Sequence, residues 1–311
     1  MPATLTVLNT VLPVFTLIAV GGFLRQAAMV DERFILSCDR LIYYVFFPCL
    51  LFWKIGKPGA FTSIDWFLVM AVTVSVLSVF ILSLLYARMV RMPNDQVGSF
   101  SQACYRFSTY VGMAIVLSAF GDEGGRIFGV LISLCIPIIN VLAVWSLICF
   151  ASGTPWSPGR SHYLVRSALS NPLILACVGG LFSSYIGFVF PIWLDKTLGL
   201  LSAMALPLAL VCLGGSLKVT TFQRHIKASL IAGIFKLVLL PLIGYGILQL
   251  SQVQGISFKV AMIYFALPTS PNNYILSEQL QSDTDLASAT IVVSTFLAVV
   301  SLSTILMLCM D

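Results

Sequence analysis

Two short stretches of this chain place side chains able to hold charge inside apolar sequence. The first is Ala266-Leu267-Pro268-Thr269-Ser270-Pro271-Asn272-Asn273-Tyr274, which follows the hydrophobic run Val260-Ala261-Met262-Ile263-Tyr264-Phe265. Its two prolines, three residues apart, remove two backbone donors and disfavour helix just before them. The second is Gln102-Ala103-Cys104-Tyr105-Arg106-Phe107-Ser108-Thr109-Tyr110-Val111-Gly112. The chemistry open to such residues is non-covalent recognition of an anion. A guanidinium brings charge, hydroxyls and amides bring directed hydrogen bonds, and helices that restart after a break add partial positive charge at their N-terminal ends. The candidate binding residues are therefore Arg106, Ser108 and Thr109 in one stretch and Thr269, Ser270, Asn272 and Asn273 in the other. Pro268, Pro271 and Gly112 are the candidates for breaking the helices, glycine because it tolerates a pinched or reversed backbone.

A second cation, Lys236, lies in the apolar run Gly233-Ile234-Phe235-Lys236-Leu237-Val238-Leu239-Leu240-Pro241. Charges at such depth are costly and must face a cavity or a partner. For Arg106 two readings stand side by side: it attracts an anionic substrate, or it bonds carbonyls freed by the break. Lys236 either pairs with a carboxylate or caps carbonyls of a broken helix. Acidic residues are scarce in the apolar segments; Glu278, about two turns beyond the second break, is the best protonatable candidate, or a solvated end residue.

The elements that must position these residues are membrane helices. Of 311 residues, 59% are hydrophobic and 9% charged, whereas about a quarter of a soluble domain is charged. With mean hydropathy +1.00, the chain reads as an all-α polytopic membrane protein. Apolar runs predict ten transmembrane helices at 5–24, 34–55, 64–87, 97–120, 127–150, 171–190, 193–217, 226–250, 258–280 and 286–310. Spans four and nine carry the two polar stretches. Unpaired backbone is tolerated at membrane depth only where it is buried in protein or lines a wet cavity, and broken helices there mark transporter binding sites.

The halves echo each other at an offset near 160 residues. Leu12-Pro13-Val14 and Val20-Gly21-Gly22-Phe23-Leu24 in span one answer to Asn171-Pro172-Leu173 and Val178-Gly179-Gly180-Leu181-Phe182 in span six. Phe47-Pro48-Cys49-Leu50-Leu51 in span two answers to Leu206-Pro207-Leu208-Ala209-Leu210 in span seven. Five spans per half give opposite polarity, hence two inverted five-helix repeats: residues 1–150, a cytoplasmic connector at 151–170, and residues 171–311. Lys and Arg favour the odd loops (Arg25, Arg33, Arg88, Arg91, Arg160, Arg166, Lys218, Arg224, Lys227) over the even ones (Lys54, Lys57, Arg126, Lys196, Lys259). Positive residues gather on the cytoplasmic side, so both termini are expected outside the cytoplasm, in a multi-pass protein of the inner (plasma) membrane. No cleaved signal peptide is expected, since the first run lacks a basic leader and a small-residue cleavage pattern.

Several classes are excluded as expectations. The net charge of +5 is scattered rather than clustered, so no nucleic acid is a partner. The eight cysteines form no C-x-x-C, and His162 and His225 lie in loops, so neither a metal nor a cofactor is expected. The spans hold no Ser/His/Asp, H-E-x-x-H or paired-aspartate arrangement, so the chain is not expected to be an enzyme.

Three passages, Tyr105–Gly112, Lys236–Pro241 and Leu267–Tyr274, carry a resemblance to the auxin efflux carrier family, which includes bacterial malonate-type permeases and plant auxin carriers. It covers essentially the whole chain, and the Pro-Thr-x-Pro-Asn-x-Tyr pattern at 268–274 is its most specific part. The resemblance implies ten helices in two inverted repeats with crossing broken helices four and nine. It also implies a scaffold of spans one, two, six and seven, often the face of a homodimer. One departure is Ser108, where bacterial members usually have Asn; serine has a shorter reach and lacks the amide donors, which shifts the expected substrate contact toward Asn272 or Asn273. The function expected is a secondary transporter of small organic anions, carboxylates such as malonate, by elevator-like alternating access. The alternatives are a sodium-coupled anion symporter of the bile-acid-transporter type and a membrane anion receptor that moves nothing.

Overall fold

A computed structural model of the chain describes residues 3–57, 65–150, 172–217 and 222–310; the predicted connector lies outside the described residues. The described residues form helices and turns, with no strand among them. In chain order the helices are α1 Ala3–Gln26, α2 Glu32–Leu41, α3 Phe47–Ile55, α4 Trp66–Met89, α5 Asn94–Tyr105, α6 Thr109–Phe150, α7 Pro172–Tyr185, α8 Ile192–Ser216, α9 Phe222–Ile234, α10 Leu240–Leu250, α11 Gly255–Ala266, α12 Asn272–Gln279 and α13 Thr284–Met310. Single π-helical turns, Ile42–Phe46 and Phe235–Leu239, join α2 to α3 and α9 to α10.

Six helical stretches among the described residues are long and apolar enough to cross a membrane: Glu32–Ile55, Trp66–Met89, Asn94–Phe150, Ile192–Ser216, His225–Leu250 and Thr284–Leu308. In such a medium the backbone must satisfy itself, and helices do so segment by segment. Predicted spans four and five both lie within Asn94–Phe150, separated by Gly121 at φ 59° and ψ −148°. Only glycine enters that region cheaply. Predicted span six stops early, at Tyr185. Predicted span nine is two shorter pieces, α11 and α12.

Five of the helices stop by a common device. Positive φ occurs at Ala28, Arg91, Gly187, Gln252 and Gln281, each two places past the last residue of a helix. The amide after each reaches back to a carbonyl five residues earlier: Met29 to Leu24 (3.0 Å), Met92 to Ala87 (2.9 Å), Phe188 to Ser183 (3.0 Å), Val253 to Leu248 (3.2 Å) and Ser282 to Ser277 (2.8 Å). These are Schellman closures, which use up carbonyls that a helix end leaves free. Six of the seven positive-φ positions among the described residues fall into pairs, Gly255 being the exception: Ala28 and Gly187 are 159 residues apart, Arg91 and Gln252 161, and Gly121 and Gln281 160. Helix starts use aspartate caps: Asp31 accepts from the Phe34 amide (2.7 Å), Asp65 from Leu68 (3.1 Å) and Asp283 from Leu286 (2.8 Å).

Both π-helical turns sit just before a proline, Pro48 and Pro241. A helical proline leaves the carbonyl four residues back without its amide. Behind Pro241 that carbonyl belongs to Leu237, and the Ser301 hydroxyl donates to it at 3.2 Å.

Without a hydrophobic drive between helices in lipid, close backbone approach at small residues holds them together. α1 packs on α8 and α3 on α7. At the first contact a Cβ added to Gly21 would stand 1.9 Å from the Val211 carbonyl oxygen, and one at Gly214 1.8 Å from that of Ile18. At the second, a Cβ on Gly180 would meet the Phe52 carbonyl oxygen at 3.3 Å. α4 packs on α10, α5 on α13, and α11 on α6. At one end of the molecule Lys54 pairs with Asp122, and the Trp53 indole N–H donates to Asp195 at 2.7 Å.

The α1–α8 contact has a direct test. Gly214→Val forces two backbones apart, and overpacking of this kind costs about 1–3 kcal/mol or more. Thermal unfolding of detergent-purified protein should show a clear fall for Gly214→Val and Gly21→Val. Gly246→Ala, where nothing lies within 4 Å of the added atom, should leave the midpoint unchanged or raise it.

Candidate functional site

The site is built where the two interrupted helices meet. α5 ends at Tyr105, and Arg106 turns extended at φ −70° and ψ 146°. α11 ends at Ala266, and Leu267 adopts nearly the same conformation, φ −69° and ψ 148°. Leu267 has a local reason, because the following Pro268 bars the helical region. Arg106 has none; its break is held by a tertiary bond, the Ser108 amide donating to the Pro268 carbonyl at 2.8 Å. The two gaps thus serve each other. The Thr269 hydroxyl donates across to the Ala103 carbonyl at 2.8 Å, an acceptor that an unbroken α5 would have filled with the Phe107 amide. The Thr269 amide donates to the Ser294 hydroxyl on α13 at 3.0 Å.

Lys236 completes this accounting. Fully buried in the π-helical turn, it donates from Nζ to the Phe265 carbonyl at 3.2 Å. A continuous helix would have given that carbonyl to Thr269. No carboxylate lies within ion-pair distance of Lys236 among the described residues. Of the two sequence readings for this lysine, the structure has the carbonyl cap.

Arg106 is differently partnered. It is 6% exposed. Its Nη1 donates to Gln102 Oε1 at 2.9 Å and its Nη2 to Asn140 Oδ1 at 2.8 Å. Both partners are neutral amides, and neither is a freed carbonyl. The guanidinium therefore keeps its whole charge, unmatched by any acid among the described residues, in a region where charge is weakly screened. Sequence reading missed Gln102 and Asn140. Gln102 lies one turn before Arg106, and Asn140 is the one amide side chain in the apolar run 127–150, so both were visible as polar exceptions.

The other predicted residues divide. Thr109 opens α6 and Asn272 opens α12, so both stand at helix N-termini, where backbone amides are unsatisfied and the field is positive. Thr109 is half-buried and Asn272 exposed. Ser270 is buried, and its hydroxyl accepts the Asn272 amide at 3.3 Å. Ser108 is buried with no hydrogen-bond partner for its hydroxyl among the described residues. Asn273 is spent internally, Nδ2 donating to the Ser99 carbonyl at 3.2 Å and to Thr290 Oγ1 at 3.4 Å, while Oδ1 has no partner. Pro268 lies within the second gap and Pro271 directly before α12. Gly112 does not form the break. It is helical, in the first turns of α6, and a Cβ there would stand 2.3 Å from the Phe128 ring and 2.6 Å from Leu267. Its small size lets the second gap approach α6.

Aromatic rings close around the gaps. Phe107 packs on Tyr264 at 4.3 Å between centroids, Phe47 on Tyr110 at 4.9 Å, and Phe80 on Tyr105 at 5.6 Å. No group of His, Cys, Asp or Glu among the described residues is arranged to hold a metal ion.

A family model described as "Membrane transport protein" matches residues 6–156 and 160–306. The chain is similar to an "Uncharacterized transporter" of Methanocaldococcus jannaschii, 21% identical over 295 residues, 93% of this chain and 94% of the relative. It is similar to a second "Uncharacterized transporter" from Methanothermobacter thermautotrophicus, 26% identical over 305 residues, 94% and 95% of the two chains. A "Putative malonate transporter" of Rhizobium meliloti is 25% identical over 304 residues, 96% and 94% of the two chains.

Thr269 gives the sharpest structural test. Thr269→Val keeps the shape and removes the bond to Ala103, leaving a buried carbonyl unpaired at about 1–3 kcal/mol. Unfolding measurements should show that loss for valine and recovery with Thr269→Ser, whose hydroxyl can make the same bond.

Proposed function

The chain belongs to the membrane transport protein family, that of the auxin efflux carriers, and from this premise we propose that it is a secondary transporter of small organic anions. That it is a transporter rather than an enzyme follows from the family and from its relatives' names. The finer reading is ours: the cargo carries a carboxylate, malonate being the example in the name of the Rhizobium meliloti relative.

One observation carries the reading. Arg106 is a buried guanidinium at the first helix gap, and its side-chain partners among the described residues are two neutral amides. An anion between the gaps would meet that charge, the N-terminal ends of α6 and α12, and the hydroxyls of Ser108, Thr109 and Ser270, with Thr269 holding the gap open through its bond to Ala103. Such an arrangement favours a carboxylate, because hydrogen bonds between ionised partners are roughly twice as strong as neutral ones and Arg matches a carboxylate in two bonds. Within this reading Asn272, exposed at the start of α12, contacts the anion, and Asn273 fixes α12 to α5.

We further propose ten spans in two inverted repeats, residues 1–150 and 171–311, with spans four and nine as crossing broken helices. The paired positive-φ terminations, 159 to 161 residues apart, support it. So do the contacts: exchanging halves turns the pairing of α1 with α8 into that of α7 with α3. α1, α2, α3, α7 and α8 are then the scaffold and, in a homodimer, the contact face. The gap-bearing helices move against it in an elevator-like step. The bias of Lys and Arg supports cytoplasmic odd loops, with both termini outside, in the inner membrane.

The test is uptake of a panel of carboxylates, malonate among them, into proteoliposomes, with thermal stabilisation by each acid as a measure of binding. Arg106→Gln should weaken binding and raise the KM about 30-fold or more, the low end of losing a buried charge partner. Asn272→Ala should impair uptake less. Wild-type flux with Arg106→Gln would sink the site assignment, and tight binding without flux would make the protein a receptor.

A further inference from the structure

The two amides on Arg106 are not equivalent. Gln102 is fully buried, on the same helix one turn earlier, and its Nε2 donates to the Gly98 carbonyl at 3.5 Å. With its nitrogen turned to the backbone, its oxygen faces the guanidinium. Asn140 comes from α6, is only half-buried, and makes one hydrogen bond among the described residues, the 2.8 Å contact to Arg106 Nη2. No second bond fixes its amide. One partner is built in and the other is held by a single neutral contact.

We propose that Asn140 is a placeholder on Arg106: its Oδ1 occupies the position that a carboxylate oxygen of the cargo takes, and the arriving anion displaces it. This rests on the reading of Arg106 as the anion's partner. The reason lies in the strengths of the contacts. A buried guanidinium without acceptors would leave donors unsatisfied in the empty carrier. A permanent carboxylate would satisfy them and also cancel the charge that attracts cargo. A neutral amide satisfies the donor, leaves the charge uncancelled, and is the weaker of two competitors when an ionised oxygen arrives. Asn140 then sets the affinity: it lets a carboxylate in, while a neutral cargo gains nothing by replacing one amide oxygen with another.

Asparagine and aspartate are nearly the same shape, so Asn140→Asp alters the competitor and little else. Its carboxylate would hold Arg106 permanently. Asn140→Ala removes the competitor. The experiment measures Kd and KM for the panel acid that stabilises the wild type most, in purified wild type, Asn140→Asp and Asn140→Ala. Asn140→Asp should weaken binding about 10-fold or more, one charge-assisted bond's difference. Asn140→Ala should tighten binding several-fold. Opposite signs from one position are not what a structural lesion gives. Wild-type affinity in Asn140→Asp, or unchanged or weakened affinity in Asn140→Ala, would overturn the proposal while leaving transport by Arg106 standing. If Asn140→Asp does not fold, the sign of the Asn140→Ala change decides alone. A wild type that binds no carboxylate of the panel overturns the functional reading and this inference with it.

Discussion

Everything in this molecule answers to one constraint: in hydrocarbon, a backbone amide or carbonyl that leaves a helix must find another partner. Two helices are interrupted, and the freed groups are shared among few residues. Ser108 meets Pro268, Thr269 meets Ala103 and Ser294, and Lys236 meets Phe265. Each gap would be untenable by itself. Together they form a polar island whose unspent capacity, the charge of Arg106 above all, is available to something from outside.

The two buried cations divide the work. Lys236 is a single flexible charge that turns to one carbonyl, which suits a cap. Arg106 offers a planar fork, of which two arms rest on amides. The two are not interchangeable, since an ammonium lacks the fixed fork that rests on two amides and a guanidinium is bulkier than the single carbonyl contact at Phe265 requires.

Much of this was legible in the sequence. Membrane character followed from the scarcity of charge, and the second gap from Pro268 and Pro271, because proline's missing N–H acts locally. The first gap was legible only through its echo of the second. Nothing in Tyr105-Arg106-Phe107-Ser108 forbids helix, and the bond that opens it comes from Pro268. Gly112 was misread for the related reason that glycine signals either a pinch or a close approach, and only the position of Phe128 and Leu267 decides between them. Asn140 escaped notice because it lies 34 residues from Arg106, and no local pattern joins them. The Schellman ends at Arg91, Gln252 and Gln281 were hidden too, since non-glycine residues there give no compositional sign.

The bond between Ser108 and Pro268 also bears on biogenesis. Its donor leaves the ribosome 160 residues before its acceptor, a delay of roughly ten to thirty seconds at ordinary rates of synthesis. Through that interval the nascent first half holds the Ser108 amide without its final acceptor, although Arg106 already has both of its partners, Gln102 and Asn140. The opened form of the first gap is therefore a late product of assembly, and a chain truncated before Pro268 lacks the partner that holds it open.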